Sequence, residues 1–113
     1  MKSESTPGSD PTPGADPALL KRLRDILSVP GNRVGTARRL TAAIRETEGF
    51  RWVGIYDAGG TLMAWAGDGS ADRPSEKAIP VRGPAGSIVG WLETERPEPW
   101  LKACAAMLAP LWA

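Results

Sequence analysis

Arg51 to Gly67 read RWVGIYDAGGTLMAWAG. Valine, isoleucine, tyrosine and tryptophan alternate on either side of Ala58-Gly59-Gly60, which is the chemistry of two short strands folded on a tight turn. Alternation puts Trp52, Gly54 and Tyr56 on one face of the first strand and Val53 and Ile55 on the other. In the second strand Met63 and Trp65 oppose Leu62, Ala64 and Ala66. The face formed by Val53, Ile55 and Leu62 is expected to pack on helices. The other face gathers the aromatic side chains.

Working outward, the hairpin strands are expected at Arg51–Asp57 and Thr61–Gly67. A second pair is expected at Lys77–Arg82 and Ser87–Thr94, turned on Gly83-Pro84-Ala85-Gly86. Between the hairpins, Asp68–Glu76 (DGSADRPSE) is polar and short, with no room for a helix pair. Upstream, Asp16 and Pro17 form a cap and first turn for an amphipathic helix carrying Leu19, Leu20, Leu23, Ile26 and Leu27. Val29-Pro30-Gly31-Asn32 stops it. A second helix is expected from about Gly35 to Glu48, with Ala37, Leu40 and Ile44 on one side and Gly49 as its stop. Downstream, Pro97-Glu98-Pro99 opens a helix whose stripe is Trp100, Leu101, Cys104, Met107, Leu108, Leu111 and Trp112. Pro110 lacks an amide hydrogen and ends or kinks it. The fold class is α+β: an antiparallel sheet of about four strands with the N- and C-terminal helices packed on one face.

Residues 1–15 combine Ser, Thr, Pro and Gly with almost nothing apolar, so they are expected to form a disordered tail outside a domain spanning 16–113. Nothing at the N-terminus has the basic start and apolar run of a signal peptide. The apolar run ACAAMLAPLWA falls short of the roughly 20 residues that span a bilayer. No membrane partner is expected, and a reducing, cytoplasmic setting fits best.

The 113 residues carry fourteen basic and thirteen acidic side chains, a formal charge of +1, with little difference between the two halves. No long-range field for nucleic acid follows. Arg33, Arg38 and Arg39 form a basic cluster, read as a solvated helix face because Glu46 and Glu48 lie near. There is no histidine, which removes the commonest general base and the commonest zinc ligand. The single Cys104 rules out an intrachain disulfide and any thiolate metal cluster. No metal and no cofactor is expected. Asp57, Asp68, Asp72 and Glu76 gather near the loop end of the sheet, where they read as solvated turn residues and not as an acid–base pair. GDGSAD matches neither a calcium loop nor a phosphate loop.

FRWVGIYDAGGTLMAWAGD resembles the first hairpin of GAF domains, in which an amphipathic helix leads into a W-V-G-x-Y strand. KAIPVRGPAGSIVGWLETERPEPW is similar to the last GAF hairpin and the helix that closes the domain. The resemblance covers about Ala18 to Trp112. It implies a central antiparallel sheet with the terminal helices on one face and, on the other, loops that enclose a small-molecule pocket. In ligand-binding members the segment between the hairpins is long, so the short Asp68–Glu76 implies a missing lid. The W-V-G-x-Y strand is most like that of free methionine-R-sulfoxide reductases, enzymes that use cysteines between the hairpins. No residue from Asp68 to Arg82 is Cys. Cys104 sits on the apolar stripe of the last helix, where burial raises a thiol's pKa and keeps it inert. The family's cyclic-nucleotide and bilin motifs are also absent.

Three expectations remain for the aromatic face, with Trp52, Tyr56, Met63, Trp65 and Trp91 as its residues. They fill the core beneath Asp68–Glu76, form an interface with a second copy or another protein, or line a small-ligand cleft. The function expected is a non-catalytic, GAF-like interaction or dimerisation module in signalling. The alternative is a small-molecule sensor with its pocket on the aromatic face. A third reading is a relative of the sulfoxide reductases that has kept the scaffold without the thiols.

Overall fold

The computed structural model describes residues 16–112. The expected tail, 1–15, lies outside the described residues. Helix α1 spans Pro17–Ser28 and is capped by Asp16, whose carboxylate accepts from the Ala18 amide at 2.9 Å. It buries Leu19 and Leu23 and ends where Val29 turns extended before Pro30. Helix α2 spans Arg33–Glu48, beginning two residues earlier than the sequence suggests. The reason is Asn32: its side chain accepts from the Gly35 amide at 2.6 Å, so a residue read as part of the stop also starts the next helix. Gly49 closes α2 in the left-handed region at φ 69°, its amide returning to the Arg45 carbonyl.

Four strands follow, β1 (Trp52–Asp57), β2 (Leu62–Gly67), β3 (Ile79–Arg82) and β4 (Ile88–Thr94), all antiparallel in the order β2-β1-β4-β3. Asp57 fixes the first hairpin turn by accepting from Gly60 at its carbonyl and from Thr61 at its carboxylate, both at 2.9 Å. Helix α3 (Leu101–Leu108) starts later than Pro97 and passes into a 3-10 turn, Ala109–Trp112, that contains Pro110. The proline ends the regular helix, as its missing donor requires. No helix among the described residues is long and apolar enough to cross a membrane.

The three helices cover one face of the sheet. Ile55 pairs with Ala64 on one side and Leu92 on the other, and Leu92 with Ile79, so one row of side chains meets the helices. Val53, Ile55, Ala64, Val81 and Leu92 join Leu19, Leu23, Leu40, Ile44, Leu101 and Leu108 in a single core. Cys104 is wholly buried within it.

Strand order settles where the chain must run between the hairpins. β2 and β3 are opposite edges, three strand spacings or about 14 Å apart. Because helices occupy one face, the eleven residues 68–78 cross the other. The expectation of a missing lid is therefore corrected: a short covering segment is present.

A β-bulge corrects a second expectation. Ile55 pairs with Ala64 but Tyr56 pairs with Leu62, which leaves Met63 as the extra residue of β2. Past a bulge the alternation shifts by one position. Met63 consequently packs against the helix-side core and leaves the aromatic face, while Leu62 leaves the helix face and lies opposite Tyr56.

Candidate functional site

On the face away from the helices, the pairing builds two rows: Trp65–Gly54–Glu93 and Leu62–Tyr56–Trp91–Pro80. Gly54 makes the first row possible. A Cβ there would lie 3.0 Å from Cε3 of Trp65 and 3.3 Å from Cε1 of Tyr56, so both rings converge over the glycine. Trp52 then stacks on Trp65 with ring centroids 4.7 Å apart and planes 13° from parallel. The Trp65 indole N–H donates to the Asp68 carbonyl at 3.2 Å, tying the stack to the start of the crossing segment.

The far end of that segment is held by Glu93. Its carboxylate accepts from the Ser75 amide at 3.0 Å and from the Ser75 hydroxyl, and it is 7% exposed. Hydrogen bonds to a charged acceptor contribute about 1.5–3 kcal/mol, so this clasp fixes the loop over the sheet. Pro74 lies beside the Gly60 turn.

The segment divides the face into two clefts. The first, about 520 Å³, is walled by the Trp52–Trp65 stack, Glu93, Glu95, Arg51 and Arg73. The second, about 490 Å³, lies between the first hairpin turn, Asp72, Arg73, Pro74 and Trp91, whose indole N–H reaches the Ala58 carbonyl at 3.5 Å. Trp52, Trp65 and Trp91 are half-buried, whereas Tyr56 is entirely buried. Its hydroxyl has no hydrogen-bond partner among the described residues. Burial, and secondarily the charge of Glu93, push that phenol from 10.0 up to about 12.

Of the expected residues, the structure brings together Trp52, Tyr56, Trp65 and Trp91 and sends Met63 to the opposite face. Glu93 and Glu95 are members of the first cleft that sequence reasoning missed. The signal was present: alternation from Trp91 puts both on the aromatic face. Asp57 serves its turn, and Asp68 pairs with Arg51 at 3.8 Å. The arginine cluster disperses. Arg33 donates to the Leu111 carbonyl at 3.0 Å and Arg39 to the Thr36 hydroxyl at 3.4 Å. No group of three Asp, Glu or Cys side chains among the described residues is placed to hold a metal ion. Cys104 lies across the sheet from the clefts, and burial, then the charge of Glu48, push its thiol from 9.0 up to about 12.

No protein-family model matches the chain, and no match was found among curated proteins. Solved structures do resemble it. One is the free methionine-R-sulfoxide reductase of Neisseria meningitidis in complex with its substrate, at TM-score 0.66 and 14% identity, covering 92% of this chain and 95% of that one. Another is described as a GAF sensor protein, from Burkholderia vietnamiensis, at TM-score 0.63 and 11% identity, covering 83% of this chain and 89% of that one. Likeness at such identities speaks for the fold alone. With three helices on one face of a four-stranded antiparallel sheet and a crossing segment on the other, the fold of this chain is GAF-like.

Proposed function

We propose that this is a non-catalytic sensor-type domain that binds a small molecule in the cleft between the Trp52–Trp65 stack and Glu93. The observation that carries the reading is the convergence of two half-buried indoles and a buried carboxylate on one concavity of about 520 Å³, within the size range of small-molecule sites. A likeness to a structure described as a GAF sensor supports it. A redox reaction is disfavoured because Cys104 belongs to the helix-side core and is pushed far from thiolate formation.

An interaction module gains less support. That reading needs an open aromatic platform, and the crossing segment buries Tyr56 and half-buries the three indoles beside it.

The test is a thermal-shift screen of a metabolite panel against wild type and Trp65→Ala. A compound that raises the melting temperature of the wild type and not of the variant supports the reading. A panel that shifts neither, or shifts both alike, sinks it.

A further inference from the structure

We infer that the open edge of β3 and the side of α3 together form a docking groove for an extended acidic segment of a partner protein, which adds to the sheet as a fifth strand. β3 is an outer strand of the order β2-β1-β4-β3, and α3 packs beside it. Ile79, Pro80 and Arg82 of β3 line, with Lys102 and Ala106 of α3, a groove of about 340 Å³. Lys102 and Ala106 stand one turn apart on α3 and so share one side of the helix. A strand edge walled by a helix is the geometry in which an extended peptide is held by main-chain hydrogen bonds and chosen by its side chains. The groove shares no lining residue with the aromatic cleft, so the inference stands apart from the ligand reading.

The backbone at this edge has capacity to spare. The Gly83 amide donates to the Ser87 carbonyl, which turns Gly83 inward toward the chain that enters β4. The extra residue of the β3–β4 bulge, Val89, lies on β4, so β3 keeps its own alternation. Val81 and Ile79 therefore also face inward, and Pro80 and Arg82 face away from the sheet. Pro80 fits that placement, since a proline has no amide hydrogen for a ladder and is tolerated on the open side of an edge strand. The Pro80 and Arg82 carbonyls and the Arg82 amide are left to an incoming chain, with no partner among the described residues.

Charge names the partner. The groove is lined by two cations and no carboxylate. Both cations are exposed. Arg82 gives one N–H to the Gly86 carbonyl at 2.9 Å, and neither residue makes an ion pair among the described residues. Proline and cationic side chains on an edge also keep like edges apart. A second copy would bring the same cations against each other, whereas an acidic strand meets attraction from both walls. Ile79, Pro80 and Ala106 supply an apolar floor for a side chain set between the acids.

The experiment is a titration of the full chain, followed by backbone amide resonances, with a short capped peptide of alternating aspartate and valine. Its controls are the lysine–valine counterpart and the acidic peptide with every amide N-methylated. The acidic peptide is expected to bind about tenfold or more tightly than the lysine peptide, by an advantage that shrinks as salt rises. On binding, the Arg82 amide should become protected from exchange, while the Gly83 amide, already bonded, changes little. N-methylation should abolish binding, because it removes the donors for the Pro80 and Arg82 carbonyls. Lys102→Glu, an exposed change on α3, is expected to weaken the acidic peptide about fivefold or more and to leave the fold intact. Equal binding of the two charge forms, undiminished binding of the N-methylated form, shifts centred on the Trp52–Trp65 stack, or no binding of the acidic peptide overturns the inference. Self-association that protects the Arg82 amide without any peptide would put a second copy in the groove and overturn the acidic partner.

Discussion

Tyr56 is the only tyrosine in the chain, so the near-ultraviolet absorbance of phenolate reports one buried site on the aromatic face. Its pKa is raised from 10.0 to about 12, by burial first and by Glu93 second. The folded state therefore keeps a proton that the unfolded state releases, and stability falls wherever the unfolded chain binds fewer protons. The contribution is fully present below pH 10.0 and is lost as pH rises through about 12. Two pH units at about 1.36 kcal/mol each make the loss about 2.7 kcal/mol. Other groups also titrate there, so the comparison is with Tyr56→Phe. Across this window the variant should gain about 2.7 kcal/mol relative to wild type, measured by urea unfolding. Near neutral pH the same substitution removes a buried hydroxyl without a partner, so it should be neutral or stabilise by up to about 1 kcal/mol. Glu93→Gln should lower the phenol's pKa only in part, since burial is the larger cause. A phenolate that forms near 10.0 in the folded protein, or parallel pH profiles for wild type and Tyr56→Phe, would refute the placement of Tyr56 beneath the crossing segment.

Gly67→Ala should cost at least about 3 kcal/mol in chemical unfolding, because Gly67 holds φ 107° and a Cβ there would lie 2.1 Å from the Arg51 carbonyl oxygen; a near-neutral result would contradict the β1–β2 register. Gly90→Ala should cost about 2–3 kcal/mol, since its Cβ would meet the Trp112 ring at 2.3 Å and the Tyr56 carbonyl oxygen at 2.7 Å. Part of that loss should be recovered in the Trp112→Ala background, and strict additivity would count against the contact. Cys104→Ala should cost about 1–2 kcal/mol without altering ligand response, and thiol labelling of the native protein near neutral pH should be no faster than unfolding.

Local pattern carried most of the fold. Alternation through Trp52–Asp57 and the Asp57–Gly60 turn chemistry read correctly as a hairpin, and the helical spacing of Leu19, Leu23, Leu40 and Ile44 marked the faces now in the core. Met63 escaped because a bulge is one extra residue with no side-chain signature of its own, and it reverses every facing beyond it. The crossing segment escaped for a different reason. Its path follows from the order β2-β1-β4-β3, a property of the whole sheet that no window of sequence contains. Glu93 was legible by alternation, yet its meaning depends on Ser75, eighteen positions away and in a loop.

Two glycines on opposite faces seat two of the chain's five tryptophans. Gly90 on β4 seats the Trp112 ring among helix-side residues, and Gly54 on β1 seats Trp65 on the outer face. Each is the same device, a missing Cβ that lets a large ring approach the strand closely. The results differ because the covers differ. Helices α2 and α3 flank the turn that carries the inner ring. Over the outer ring run only eleven residues, whose extended reach of about 36 Å is ample for a crossing of about 14 Å but too little to blanket four strands. With the slack drawn down to Glu93 by Ser75, one aromatic ring, Tyr56, is sealed and the Trp52–Trp65 stack keeps an open side. What serves as core on one face thus becomes, on the other, a surface with room for a guest.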